Sequence, residues 1–146
     1  MRIHAIEAGL TVLCLLTPAC GPPSSDAIVG TWLVKSPEAP FPYHMFVFHS
    51  DGTMQQSNPD AGDPNSSDSN GMGVWAADGS KVKGKFVEVA ADRVTRRFLS
   101  RGEISFLLQV NGNVFQGTAS AAFFDEEGRK LREPLAATLE GQRIVP

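Results

Sequence analysis

From Ile28 onwards the chain is a succession of short segments rich in β-branched and aromatic residues, each ended by a cluster of Gly, Pro, Asn, Asp or Ser. This pattern predicts strands joined by turns. No long stretch has helical periodicity and no strand–helix–strand alternation is present, so the sheet should be antiparallel. The length of 146 residues suits one domain. The sequence therefore predicts an all-β domain of about eight strands in up-and-down order.

The turn signals divide this domain into strands. Three prolines between residues 36 and 42 exclude a central strand there, and Asn111-Gly112 predicts a type I′ hairpin turn. Residues 57–70 have a low-complexity composition without apolar periodicity, which predicts a loop. The predicted strands cover residues 28–35, 43–49, 53–56, 71–76, 81–90, 95–110, 114–124 and 135–144.

The hairpin at Asn111-Gly112 indicates how the sheet closes. Its facing pairs are predicted to be Leu108–Phe115, Phe106–Gly117 and Ile104–Ala119. Closing an antiparallel sheet into a barrel removes its aggregation-prone edges. Large residues on one strand facing small ones on the next leave room inside a small barrel or fit its taper. Tight filling by neighbouring aromatics is the alternative.

The hairpin before it is less regular. A turn near Asp92-Arg93 sets Glu88 opposite Arg97 and Gly84 opposite Arg101. The same register places two lysines on the face of Ile104, so a bulge is expected near Gly84 or Gly102. On this register Glu88 shares a face with Arg101 and Glu103. The charged residues are then expected to form ion pairs on a solvated outer face, or else to line a cavity mouth.

Residues 1–19 are typical of a secretory signal, with an apolar run too short to span a bilayer. Cys20 follows Leu16-Thr17-Pro18-Ala19, which resembles a bacterial lipobox and implies that Cys20 is lipidated. Cys14 would leave with the signal, so Cys20 has no intrachain disulfide partner. Residues 20–27 are predicted to tether the domain 28–146 to a membrane of the cell envelope. A periplasmic or secreted protein cut after Ala19 is the alternative.

Three features carry a family resemblance. Gly30-Thr31-Trp32 on the first strand, the eight-strand meander, and Arg143 near the end of the last strand resemble lipocalins and the wider calycin group. The resemblance implies that Trp32 packs at the closed end of the barrel and that Arg143 lies across it in a cation–π contact. Gly30, Trp32 and Arg143 are thus the expected closure residues. Such barrels host carriers and enzymes, so the resemblance concerns fold more than function.

Metals, cofactors and nucleic acid are not predicted. His44 and His49 point to opposite faces of one strand, which disfavours a shared metal site. Haem-binding relatives of this barrel use a late histidine, and no histidine follows His49. The acidic residues of the 57–70 segment lack the glycine and the closing glutamate of a calcium loop. A net charge of −3 gives no indication of nucleic-acid binding.

An apolar cavity is the default form of a small-molecule site, and the large residues of the predicted strands suggest one. The most favoured function is therefore an exported, lipid-anchored protein that binds a small hydrophobic molecule. A cyclase or isomerase using Tyr43, His44 or Glu88 is an alternative, without assigned catalytic residues, and so is a cell-envelope interaction module with a filled barrel. The predicted ligand-binding residues are Tyr43, His44, Phe46, Phe48, Trp75, Phe86, Phe106 and Phe115.

Overall fold

The computed structural model describes residues 25–59 and 64–146. The predicted signal peptide, the lipidation site Cys20 and the tether up to residue 24 lie outside this range, as do Asp60 and Asp63 of the acidic segment. Within it, no helix is both long enough and apolar enough to cross a bilayer.

The described chain consists of a short 3₁₀ helix, Ser25–Ile28, followed by nine strands. The strands are β1 (Gly30–Lys35), β2 (Tyr43–Phe48), β3 (Thr53–Ser57), β4 (Ser66–Asp68), β5 (Gly71–Asp78), β6 (Lys81–Asp92), β7 (Phe98–Asn111), β8 (Val114–Phe124) and β9 (Leu135–Arg143).

Eight of these strands form a closed ring. All pairings are antiparallel and run β1-β2-β3-β5-β6-β7-β8-β9, and β9 returns to pair with β1. The predicted eight-stranded up-and-down barrel is confirmed. The ninth strand, β4, pairs outside the ring with the end of β6, Ser66 opposite Asp92. The prediction that residues 57–70 are entirely a loop was wrong, because β6 runs past the end of β5 and offers an unpaired edge.

The two ends of the barrel differ. The closed end carries the 3₁₀ helix and the tight turns at 49–52, 79–80 and 112–113. The open end carries the longer connections at 36–42, 93–97 and 125–134, together with the segment between β3 and β5. Ala27 and Ile28 pack against the core beneath the barrel. The sequence assigned residues 25–27 to the tether; in the structure they belong to the 3₁₀ helix, and Ala27 packs against the core.

Trp32 lies at the centre of the closed end, fully buried. Its Nε1 donates to the carbonyl oxygen of Ile28 at 2.8 Å, and the Arg143 guanidinium carbon lies 4.2 Å from the indole centroid. Arg143 also donates to the carbonyl oxygens of Val29, at 2.5 Å, and Ala27. A Cβ on Gly30, whose φ is +133°, would lie 2.8 Å from the guanidinium. The polar groups at this end are therefore satisfied within the protein.

Aromatic rings fill the closed half of the barrel. Phe46, Phe48, Phe86 and Phe106 contact one another with ring centroids 5.7 to 6.5 Å apart, and Phe115 lies 5.0 Å from Trp32. Interior glycines make room for the rings. The facing pairs are Gly84–Phe106, Gly73–Phe86 and Gly141–Phe115.

The β7–β8 hairpin turns one residue later than the sequence suggested. Asn111 pairs with Val114, so Gly112 and Asn113 form the turn, and only Gly112 has a positive φ, +59°. The type I′ prediction, which needs two such residues, was wrong, and the φ signs fit type II′. The observed facing pairs are Leu108–Gly117, Phe106–Ala119 and Ile104–Ala121. A shift of two residues keeps every side chain on its predicted face.

The β6–β7 pairing places Glu88 opposite Gly102 rather than Arg97. The chain turns through residues 93–97, a longer connection than assumed, and the register irregularity lies between Ala90 and Ala91. The bulge predicted near Gly84 or Gly102 was misplaced. Glu88 consequently points into the barrel, whereas Glu103 lies outside.

On the outer wall Glu103 pairs with Lys85 at 2.9 Å and with Arg101 at 3.0 Å. The expected outer ion pairs are therefore present, but Glu88 is not among them.

Candidate functional site

The open half of the barrel encloses a cavity of about 280 Å³. Phe46 and Phe86, at the top of the aromatic core, form its floor, and Ala119, Ala121 and Ala137 form a wall of small side chains from β8 and β9. Other apolar lining residues are Phe41, Ile104, Phe123, Leu135 and Leu139.

The connection between β1 and β2 folds over the cavity mouth, where Ala39, Pro40 and Phe41 contribute to the lining. Glu38 holds this connection in place, because its carboxylate accepts hydrogen bonds from the backbone N–H of Thr138 at 3.1 Å and from its hydroxyl at 3.0 Å. The pKa of Glu38 is lowered by these bonds, the one from the backbone N–H first. Glu38 thus occupies the edge of β9 beyond the end of β1.

A chain of hydrogen bonds crosses the opposite wall. It starts at the Gly71 backbone N–H, which donates to Gln56 Oε1 at 3.2 Å. Gln56 Nε2 then donates to Asn58 Oδ1, and Asn58 Nδ2 donates to Glu88 Oε2 at 3.1 Å. Since a backbone N–H can only donate, it fixes the orientation of both amides along the chain.

His44 joins this network from β2. Its Nδ1 lies 2.7 Å from Asn58 Oδ1 and 3.1 Å from Gln56 Nε2. Asn58 Oδ1 can only accept, so we assign the proton of the neutral imidazole to Nδ1, and the 3.1 Å contact with Gln56 Nε2, which is also a donor, is then not a hydrogen bond. The other nitrogen, Nε2, is then an acceptor on a side chain that lines the cavity.

Glu88 ends the hydrogen-bonded chain inside the barrel. Burial raises the pKa of its carboxyl above the ordinary value, the bond from Asn58 opposes that rise, and the charge of Asp68 adds to it. Within residues 25–59 and 64–146, no lysine or arginine forms a salt bridge with Glu88. Among the described residues, the cavity therefore contains a carboxyl group without a salt-bridge partner.

The structure divides the predicted ligand-binding residues into three groups. His44, Phe46 and Phe86 line the cavity. Tyr43 lies on the outer face of β2, 52% exposed, because alternation turns it away from His44. Tyr43 therefore does not line the cavity.

The remaining four predicted residues do not line the cavity either, because they pack in the closed half. Phe48, Phe106 and Phe115 are buried there. Trp75 donates through Nε1 to the carbonyl oxygens of His49 and Thr53 at 3.1 and 3.0 Å and packs against Phe48 with centroids 6.0 Å apart.

Sequence reasoning missed Gln56 and Asn58, which orient the polar wall. A signal existed for Gln56, because it shares the inward face of β3 with buried Met54, and a polar residue at a core position indicates a buried hydrogen-bond network. Asn58 carried no such signal, since it follows β3 in a segment of low complexity.

A second depression of about 580 Å³ lies on the outer wall across β5 to β8. It is larger than the cavity but open to solvent, and outward side chains such as Val74, Lys83 and Leu107 line it. The barrel interior is the better candidate site, because it is more enclosed and combines apolar walls with a few convergent polar groups.

No group of three or more His, Cys, Asp or Glu side chains able to hold a metal ion is found in the described part of the chain. Comparisons of the chain with protein-family models, curated proteins and solved structures give no match. The structure itself is consistent with a lipocalin-like fold, and a barrel of this type is compatible with binding a small ligand.

Proposed function

We propose that this protein is an exported, lipid-anchored carrier that binds a small hydrophobic molecule inside the barrel. The observation that carries the proposal is the enclosed cavity in the open half, with apolar walls and a floor of two phenylalanine rings. Burial of apolar surface supplies the affinity, at about 25 cal/mol per Å². An interaction module with a filled barrel is less favoured, because only the closed half is filled within the described residues.

The volume of the cavity limits the size of the ligand. Ligand pockets commonly measure about 300–1,000 Å³, and this cavity, at about 280 Å³, is near the small limit. A compact molecule with one ring or a short branched chain fits such a space. A long-chain lipid would extend beyond the connection that Glu38 holds over the mouth.

The binding proposal is tested by native mass spectrometry of the protein purified from its own host. The wild type should retain a small molecule that denaturation releases. The matched control is Ala121→Leu, which adds volume inside the cavity and should retain none while keeping its thermal stability. A wild type without any bound molecule, and without affinity for a hydrophobic fluorescent probe, would contradict the proposal.

Lipid anchoring is a separate part of the proposal, and the lipobox-like residues before Cys20 support it. Cys20→Ser protein should lose both membrane fractionation and labelling by a fatty-acid analogue, whereas the wild type shows both. If the wild type and the variant are equally unlabelled in the aqueous fraction, the anchor is excluded while the cavity proposal stands.

A cyclase or isomerase is the second candidate, favoured by one observation: Glu88 and His44 both line the cavity. A carboxyl with a raised pKa is suited to general acid–base catalysis. Asn58 lies between the two groups, so they do not exchange a proton directly. Incubating the retained molecule with the protein in D₂O should introduce deuterium at carbon, and Glu88→Gln should stop it. No deuterium uptake with wild type favours the carrier.

A further inference from the structure

The hydrogen-bond polarity of the cavity wall bears on ligand chemistry. Gln56 Nε2, Asn58 Nδ2 and the assigned Nδ1 proton of His44 all point to acceptors within the protein. Each amide nitrogen keeps a second hydrogen, but the chain of bonds ends on the carboxylate of Glu88, an acceptor that lines the cavity, and Nε2 of His44 is an acceptor on another lining residue. A wall that presents acceptors requires hydrogen-bond donors from its ligand.

The charged groups at this wall also favour a ligand that donates hydrogen bonds. Glu88 has no cationic partner in the described part of the chain. The titratable and charged groups around it are His44 on β2, Asp68 on β4, Glu38 in the connection over the mouth and Arg132 beyond β8. The Arg132 guanidinium carbon lies 4.1 Å above the centroid of the Phe123 ring. A buried charge is costly unless it is paired.

We propose that the cavity selects a small organic cation, a protonated amine on a compact apolar body, whose ammonium group binds Glu88 and donates to His44. This inference rests on the proposed carrier function and specifies its ligand class. The amine supplies the hydrogen-bond donors and the positive charge that no lysine or arginine of the described residues provides to Glu88. The apolar body then occupies the space against Ala119, Ala121 and Leu139 on the other side of the cavity.

Three probes with one phenyl body separate this proposal from general hydrophobic binding: 2-phenylethylamine, 2-phenylethanol and 3-phenylpropionate. Calorimetric titration near neutral pH should show the amine binding at least about tenfold more tightly than the alcohol, because charged hydrogen bonds are roughly twice as strong as neutral ones. The carboxylate should bind most weakly, since it meets Glu88 with like charge.

Glu88→Gln tests whether Glu88 is the residue that selects the amine. The substitution keeps the shape and removes the charge, so the amine should lose its tenfold advantage while the alcohol keeps its affinity. The matched control is Glu103→Gln, which removes a carboxylate from the outer wall of the neighbouring strand and should leave the order of the probes unchanged. Thermal melts of both variants establish that they fold.

The outcomes separate the two proposals. Equal binding of amine and alcohol to the wild type, or tightest binding of the carboxylate, overturns the amine inference and leaves the carrier standing. An amine preference that survives Glu88→Gln also overturns it. If no probe binds, the molecule retained from the host decides: an amine supports the inference, a molecule without an amine overturns it, and no retained molecule overturns both proposals.

Discussion

The closed and open halves of the barrel are built from the same strands and have opposite interiors. Both contain small residues, but in the closed half rings cover some of them, as Phe106 covers Gly84 and Phe115 covers Gly141. In the open half Ala121 and Ala137 face the cavity. Small residues alone therefore do not predict a cavity, because the rings that lean over them decide whether space remains.

The polar groups of the two halves also differ, in whether the protein itself supplies their partners. In the closed half Trp32 and Arg143 direct their N–H groups to backbone carbonyls. In the open half the hydrogen-bonded chain ends on Glu88, whose burial raises its pKa. The closed half contributes stability, whereas the open half leaves a charge that a ligand can compensate.

The largest effect is expected from removing the centre of the closed half. Trp32→Ala deletes a fully buried indole, together with its hydrogen bond to Ile28 and its contact with Arg143. The loss should be about 3–5 kcal/mol of unfolding free energy, as for other buried aromatics, measured by urea denaturation. A change within about 0.5 kcal/mol, typical of surface sites, would show that the closed half is not the stabilising one.

Adding volume should distinguish the halves more sharply. Gly141→Ala places a methyl group within the Phe115 ring, and overpacking of this kind costs about 1–3 kcal/mol. Ala121→Leu adds more atoms but enters the cavity, so its melting temperature should stay close to that of the wild type while probe binding falls. Ala119 is less suitable, because it also packs against the aromatic core. Equal destabilisation by both variants would mean that the open half is packed.

The smallest expected effect is a pH-dependent change in melting temperature, which should have opposite signs when two different carboxylates are replaced. Because the folded-state pKa of Glu88 is raised, its ionisation opposes folding, so Glu88→Gln should raise the melting temperature at pH 7. This gain should begin to shrink as the pH falls through the folded-state pKa, and it should vanish below the lower pKa of the unfolded state.

The outer carboxylate provides the comparison. The pKa of Glu103 is lowered, chiefly by its hydrogen bond with Lys85, so Glu103→Gln should lower the melting temperature at pH 7. That loss should fade in acid, as wild-type Glu103 becomes protonated. Thermal melts of both variants between pH 7 and acid check the two signs. The same sign at both sites would contradict the placement of Glu88 inside the barrel.

The barrel could be predicted from the sequence because alternation and turns are local signals. Strand positions and the inward faces of Phe46, Phe106 and Ala119 follow from a period of two. The strand registers were harder to predict, since that of β7 with β8 depended on whether Asn111 or Gly112 is the first residue of the turn. The error at Glu88 came from the length of the connection at 93–97, which no composition rule fixes.

The polar wall was beyond local reasoning. It requires Gln56 to meet the backbone of Gly71 and Asn58 to meet Glu88, contacts 15 and 30 residues apart. Only the closed sheet brings these groups together. An isolated Gln in a strand or Asn in a loop is compatible with many surroundings, so the sequence could provide candidate residue types but not the network.

The position of the 3₁₀ helix Ser25–Ile28 determines how the barrel would be oriented if Cys20 is lipidated. The described chain starts beneath the closed end, and Cys20 precedes Ser25 by five residues, which span roughly 15–20 Å when fully extended. If Cys20 carries a lipid, that short reach holds the closed end against the bilayer and turns the mouth toward the aqueous compartment. The protein would then exchange its ligand with the surrounding water, not with the membrane that anchors it.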